Sequence, residues 1–161
     1  MTQSEQNRTT TYTRPIPDPD IITANEFWTG AREGRLMLPR CRQCTRAHFY
    51  PRVICPHCHS FELEWFEAAG TGTVHTFAVQ QRGLGGWNDE TPFVTAYIDL
   101  PEAVRMMTVL LGVDAEWPES ITIGAPVRVE FEQVTDEVSI PFWRVIDETP
   151  NQTVGGVENN S

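Results

Sequence analysis

Two short cysteine pairs decide the fold of the first half of this chain: Cys41-Arg42-Gln43-Cys44 and Cys55-Pro56-His57-Cys58. Ten residues separate the pairs, and the chain has four cysteines in all. A two-residue spacer lets both thiolates of one turn face the same ion, so two such turns complete the tetrahedral shell that zinc prefers. A closed shell leaves no position for water or substrate. We therefore predict a structural Zn²⁺ site whose ligands are Cys41, Cys44, Cys55 and Cys58.

Iron and disulfides are the alternatives to zinc. Four thiolates suit iron in a rubredoxin-like site as well as zinc. Disulfides suit a secreted protein or a redox enzyme, but residues 1–11 are polar and lack the apolar segment of a secretory signal. We therefore expect a cytoplasmic protein with reduced cysteines. One of the nearby histidines could also replace a thiolate; these are His48, His57 and His59.

The charges are distributed unevenly. The chain has 12 basic and 22 acidic residues and a formal net charge of −10, yet residues 34–61 contain no acid. That segment holds five arginines: Arg35, Arg40, Arg42, Arg46 and Arg52. A basic patch on an acidic protein can hold a phosphate group, such as that of a nucleotide-like cofactor. The alternative is a set of arginines that merely solvate a loop, since most charge runs do so.

Composition divides the chain into four segments. We expect a flexible arm over residues 1–19, a helix and zinc module over 20–69, a barrel over 70–148 and a disordered tail over 149–161. The arm and the tail are polar and contain prolines or glycines, and Gly70-Thr71-Gly72 interrupts the pattern between the two folded segments. No apolar run approaches the ~18 residues of a membrane-spanning helix.

A helix is predicted from about Thr23 to Glu33. Thr23 and Glu26 have the spacing of a capping box, and Gly34 suits the position just past the helix end. Phe27 and Trp28 belong to an apolar stripe at helical spacing. They either pack in the core or anchor a partner, since aromatic residues often dominate protein interfaces.

The second half of the chain has the pattern of a β protein. Five segments alternate or are rich in β-branched and aromatic residues: 73–80, 93–100, 105–113, 127–134 and 140–146. Five short strands predict a small closed barrel, because closure removes exposed strand edges. An OB-type barrel is the favoured form, and a Greek-key sandwich is the alternative. The predicted fold is therefore mainly β.

The loop Arg82–Trp87 contains three glycines with Leu84 and Trp87 at apolar tips. Either it docks on a partner or lines the route to the partner's active site, or Trp87 folds back onto its own barrel. No independent catalytic site is expected in the chain. Every cysteine is better explained as a metal ligand, no GxSxG motif occurs, and His75 fits a structural or surface role.

The order of these motifs resembles an acyl-CoA-associated family that pairs a rubredoxin-like zinc ribbon with an OB fold. That family was long catalogued as a domain of unknown function. The resemblance covers roughly residues 20–147. It rests on Phe27-Trp28, Glu33-Gly34-Arg35-Leu36, the two cysteine pairs, Tyr50-Pro51-Arg52, Gly70-Thr71-Gly72-Thr73-Val74, Pro92-Phe93, Ile123-Gly124-Ala125-Pro126-Val127 and Pro141-Phe142.

The resemblance implies a non-catalytic subunit that works beside a thiolase-like protein. The pair would cleave or form a C–C bond in an acyl-CoA by retro-aldol or thiolase-type chemistry, for example in steroid or other lipid side-chain degradation. The partner would supply the catalytic cysteine and histidine. This chain would contribute docking contacts, stability and a substrate channel. A heterotetramer is expected, with a coenzyme A thioester as substrate. Candidate contacts to the partner or to CoA are Phe27, Trp28, Arg42, Arg46, Arg52, Leu84 and Trp87.

Two other functions remain open from the sequence. Zinc ribbons and OB folds also bind single-stranded nucleic acid, but the acidic barrel half would repel phosphate backbones. A self-contained acyl-CoA enzyme using His75 and the ribbon arginines is the third reading, although no nucleophile and base pair is evident.

Overall fold

The computed structural model describes residues 12–146. The predicted tail, 149–161, and residues 1–11 of the predicted arm lie outside the described residues. The described part of the arm contacts the barrel. The side chain of Arg14 is largely buried, forms an ion pair with Glu132, and lies over the rings of Trp87 and Phe142.

Helix α1 spans Asn25–Arg32. The predicted capping box is wrong, because Ala24 occupies the N-cap position and no side chain in the described part of the chain caps the helix. Ala24 is fully buried, so core packing sets the first turn. The predicted stop at Gly34 is confirmed: its φ is +74°, and the backbone N–H of Arg35 donates to the Gly30 carbonyl over 2.8 Å. This is the Schellman ending, for which glycine is the preferred residue.

The zinc-ribbon segment is a two-stranded antiparallel sheet. Strand β1 spans Met37–Cys41 and strand β2 spans Leu63–Glu67. The register pairs Met37 with Glu67 and Cys41 with Leu63. Strand β2 thus follows the second cysteine pair. Both cysteine pairs lie at the same end of this sheet, because Cys41 ends β1 and the second pair precedes β2.

Five further strands form a closed barrel. They are β3 (Thr71–Gln80), β4 (Phe93–Asp99), β5 (Arg105–Leu111), β6 (Pro126–Gln133) and β7 (Ser139–Val145). Their order around the barrel is β3-β4-β5-β7-β6, with β5 and β7 parallel and the other neighbours antiparallel. A closed five-stranded barrel confirms the OB-type prediction over the sandwich alternative.

One hydrophobic core joins the ribbon to the barrel. Trp143, Val127 and Ile98 fill the barrel, while Phe27 and Leu38 contribute from the helix and β1 to the same cluster. Helix α1 makes this connection, since it packs against β1 on one side and against β6 and β7 on the other. Within residues 12–146, no helix is long or apolar enough to cross a membrane.

Candidate metal centre and adjoining surfaces

The two cysteine pairs adopt the same turn. The N–H of Cys41 donates to the Arg46 carbonyl over 3.0 Å, and that of Cys55 donates to the Ser60 carbonyl over 2.9 Å. In each turn, the N–H four residues later donates back to the first cysteine's carbonyl, over 2.8 and 3.0 Å. Because the backbone repeats, both pairs present their sulfurs in the same way.

The four cysteine sulfurs form a compact cluster. All lie within 4.8 Å of one another, and the closest pairs, Cys41 with Cys58 and Cys44 with Cys55, are 3.6 Å apart. A tetrahedral site with Zn–S bonds of about 2.3 Å has S···S edges of about 3.8 Å. A disulfide would bring two sulfurs to about 2.05 Å, and all four cysteines are free thiols. The geometry therefore fits a four-thiolate metal site.

The electrostatics of the cluster also favour a bound cation. The backbone N–H of Cys44 lowers the pKa of Cys41 to about 7. The backbone N–H of Ser60 acts in the same direction on Cys58, but partial loss of hydration and the three neighbouring thiols raise the pKa of Cys58 to about 12. Deprotonation of all four thiols is unfavourable at these distances, because the thiolates repel one another unless a cation offsets their negative charge.

The nearby histidines do not join the sulfur cluster. His57 and His59 are exposed, and the ligand atoms that converge in this part of the chain are the four sulfurs. His48 is buried, and neither of its ring nitrogens has a hydrogen-bond partner among the described residues. Burial, followed by the nearby charges of His57 and Arg52, lowers the pKa of His48.

A basic cavity of about 910 Å³ lies beside the metal centre. Its walls include Arg42 and Arg46, which were predicted as candidate contacts, and Arg40, which was counted in the basic segment but not among those contacts; the turn after β4 contributes Glu102. Arg42 donates to Glu64 over 3.1 Å. Arg52 is exposed and does not line the cavity. Arg40 could have been found from its place on the strand that leads into the first cysteine pair.

Phe27 and Trp28 do not form an exposed contact surface. Both side chains are buried, and the ring of Phe27 packs 5.6 Å from that of Phe49 and 6.1 Å from that of Tyr50. Core packing therefore describes these two residues, and the partner-anchor hypothesis is corrected for them. The physical reason is that helix α1 lies between the ribbon and the barrel.

Leu84 and Trp87 differ in their surroundings. The side chain of Leu84 is 87% exposed. Trp87 is half-buried on its own barrel, with its ring centre 4.9 Å from that of Phe93 and 6.4 Å from that of Phe142. The guanidinium of Arg14 lies 4.8 Å from the centre of the Trp87 ring. Whether either residue contacts a partner remains a prediction.

His75 lies on the barrel surface in a charged cluster. Its Nδ1 is 2.9 Å from the Asp99 carboxylate, and Arg105 donates to the same carboxylate over 2.7 Å. The Arg105 hydrogen bond, aided by that of His75, holds the pKa of Asp99 below its usual range. None of the described cysteines or serines belongs to this cluster, so it does not have the composition of a nucleophile and base pair.

Two family models match the described domains in chain order. The model for the ChsH2 rubredoxin-like zinc ribbon domain matches residues 28–64. The model for the ChsH2 C-terminal OB-fold domain matches residues 65–132.

Relatives with these domains include subunits of acyl-CoA enzymes. A probable enoyl-CoA hydratase alpha subunit from Thermomonospora curvata is 36% identical over 129 residues, which are 80% of this chain and 39% of that protein. The benzoylsuccinyl-CoA thiolase subunit BbsA from Geobacter metallireducens is 34% identical over 45% of this chain and 48% of its own length. The chain therefore spans less than half the length of these relatives.

A solved structure, the Ltp2-ChsH2(DUF35) aldolase, contains a similar chain. The TM-score is 0.67 and the identity 32%, over 82% of this chain and 98% of that one. The match thus covers the ribbon and the barrel together. This chain belongs to the DUF35 family, in which a rubredoxin-like zinc ribbon precedes an OB-fold domain.

Proposed function

We propose that this chain is the non-catalytic, zinc-binding subunit of a thiolase-like enzyme that cleaves or forms a C–C bond in an acyl-CoA. The supporting observation is that the ribbon-and-barrel unit matches 98% of a chain of the Ltp2-ChsH2(DUF35) aldolase structure, while all its cysteines converge on one candidate metal centre. Steroid or other lipid side chains are the proposed source of the acyl group, and the cytoplasm is the proposed location.

The reacting groups are assigned to the partner. Thiolase-type chemistry needs an activated thiolate and a base close to it. The four sulfurs of this chain converge in one cluster and would fill the coordination shell of a bound ion, and His75 is engaged with Asp99 on the barrel surface. The thiolase-like subunit therefore supplies the catalytic cysteine and histidine.

Cys41, Cys44, Cys55 and Cys58 are assigned as the ligands of one structural zinc ion. The donor set supports this role, because four thiolates leave the ion no open position for substrate. The bound ion would supply no chemistry to the reaction and would hold the two cysteine turns together. The ordered turns in turn support β1 and the walls of the basic cavity.

The basic cavity is the proposed site for the phosphate groups of the CoA thioester. Arg40, Arg42 and Arg46 line it, and a phosphate takes charge-assisted hydrogen bonds from guanidinium groups. Replacing Arg46 by glutamine should raise KM for the thioester about tenfold with little change in kcat, because a contact made equally in ground and transition states acts on KM. Arg32→Gln, on the exposed side of α1, is the control. Equal KM values for the two variants would contradict this assignment.

The complex itself is tested by co-expression with the thiolase-like protein that copurifies with this chain, identified by mass spectrometry. We expect a stable heterotetramer by light scattering, and acyl-CoA cleavage by the complex that neither isolated chain supports. Turnover by this chain alone, or full activity of the other protein without it, would contradict the proposal. Binding to single-stranded DNA that weakens steeply with salt would instead favour the nucleic-acid function.

A further inference from the structure

The outer face of strands β4 and β5 is apolar in its middle. Across the two strands, Tyr97 pairs with Met107 and Thr95 pairs with Val109. Their sequence neighbours Ala96, Ile98, Met106 and Leu110 are buried in the barrel. Because successive side chains of a strand point to opposite faces, Thr95, Tyr97, Met107 and Val109 point outward.

Outward-facing apolar side chains are unusual on an antiparallel barrel. The solvent face of such a sheet is normally polar, and a continuous apolar run is typical of a strand that is covered on both faces. Residues 106–111 form such a run, interrupted by Thr108 alone. Yet the side chain of Met107 is 64% exposed and that of Tyr97 is 44% exposed. The described chain leaves this face uncovered.

A groove of about 660 Å³ continues the apolar face toward the loop after β3. Leu84, Trp87, Met107 and Phe142 are among the residues that line it. Among the described residues that line the groove, Arg82 is the one with a charge, in a protein of net charge −10. No described carboxylate forms an ion pair with Arg82. The groove therefore suits an occupant that is apolar and carries a negative group.

The opposite end of the face is charged. Asp99 pairs with Arg105 across the strands, and His75 joins them from a bulge in β3. An apolar centre bounded by polar and charged residues is the layout of a protein interface. Strands of seven residues extend about 20 Å, the scale of one side of a standard interface. This layout favours a protein over a small molecule as the occupant.

We propose that the thiolase-like subunit docks on this β4–β5 surface, formed by Arg82, Leu84, Tyr97 and Met107. Apolar side chains of the thiolase-like subunit would cover Leu84 and Met107, and a carboxylate of that subunit would face Arg82. This inference rests on the proposed function and identifies the surface through which this chain would bind its partner.

The surface is formed before the partner arrives. The guanidinium of Arg14 packs over the rings of Trp87 and Phe142, and Arg14 also forms an ion pair with Glu132. A side chain added at Gly86 would clash with Thr13, so the arm and the loop are packed directly together. A preformed surface loses less conformational entropy on binding than a mobile one.

Met107→Arg tests the surface, because the exposed side chain can be replaced without disturbing the barrel core. Binding to the purified, immobilised thiolase-like subunit should weaken at least tenfold in Kd. Phe61→Arg, at a position on the ribbon that is 73% exposed, is the matched control and should bind within about twofold of wild type. Arg82→Glu should also weaken binding about tenfold, because it would place like charges together. Unchanged melting temperatures verify folding.

Three outcomes would overturn the inference. Met107→Arg could bind as tightly as wild type, or lose no more affinity than Phe61→Arg. Alternatively, Met107→Arg could leave the complex intact and raise KM for the acyl-CoA, which would make the groove an acyl site. In each case the proposed function stands if the wild-type chain still forms the active complex. If wild type fails to bind the thiolase-like subunit, the proposed function itself is wrong.

Discussion

The residues that follow the two cysteine pairs carry unfavourable backbone angles. Thr45 has a φ of +62° and His59 a φ of +61°. The left-handed region costs most residues about 1–2 kcal/mol, and a β-branched side chain such as threonine is especially unsuited to it. The turn nevertheless requires it, because Thr45 donates its N–H to the Cys41 carbonyl over 2.8 Å.

Thr45→Gly should therefore stabilise the protein. We expect the free energy of unfolding to rise by about 0.5 kcal/mol, since relief of strain exceeds the added entropy of the unfolded chain. Urea unfolding of the zinc-loaded protein measures this change. Thr76→Gly, in the exposed part of β3, removes the same side chain from an extended backbone and should destabilise instead. A loss of stability in Thr45→Gly would contradict the strain argument.

The imidazole of His48, buried and without a hydrogen-bond partner among residues 12–146, predicts a pH dependence of stability. Burial lowers the pKa of His48 in the folded protein below the value of about 6.5 in the unfolded chain. As the pH falls below about 6.5, the unfolded state therefore binds a proton first and stability decreases; the loss ends below the folded-state pKa. His48→Phe removes this contribution. Urea unfolding from pH 8 to 5 should show the wild type losing stability relative to the variant, and parallel curves would contradict the prediction.

At the scale of elements, we expect the ribbon to depend on a bound metal ion more than on its strands. β1 and β2 have five residues each, and a two-stranded sheet of this size is marginal in water. The metal centre and helix α1 supply the remaining stability.

Cys58→Ser should consequently release zinc. Cys58 is the exposed member of the sulfur cluster, so its replacement leaves no cavity in the core. By elemental analysis, we expect about one zinc per chain in the wild type and less than about half of that in the variant. The melting temperature of the variant should be lower than that of the wild type, and a chelator should lower the melting temperature of the wild type in the same way. Gln43→Ala, beside the same cluster, should retain its zinc. Full zinc content in Cys58→Ser would show that the cluster is not a four-thiolate site.

Strand positions were predictable because alternation is a local property. Residues 127–132 alternate apolar and charged side chains, and the structure has β6 at Pro126–Gln133. The start of α1 was not predictable in the same way. Thr23 and Glu26 have the right spacing for a capping box, but the burial of Ala24 places the helix start one residue later.

At the scale of the whole molecule, the core shared by the ribbon and the barrel predicts that the described chain unfolds as one unit. Phe27→Ala should destabilise by about 3–5 kcal/mol, because it opens a cavity where α1 meets the ribbon. Phe61→Ala, at an exposed position, should change stability by less than about 0.5 kcal/mol. Ellipticity and tryptophan fluorescence should report coincident urea transitions in both variants. Two separated transitions would show that the ribbon and the barrel are independent domains.

The sequence by itself determined the metal cluster and the succession of strands. Ligand spacing and apolar alternation act over a few residues, so Cys41, Cys44, Cys55 and Cys58 were identifiable without coordinates. Only the tertiary structure decided that Phe27 and Trp28 lie inside while Met107 lies outside, and that Arg40 faces the same cavity as Arg46. The identity of an aromatic or apolar residue does not show whether its side chain is buried or exposed. Its burial depends on which faces meet across the fold, and distant segments of the chain supply those faces.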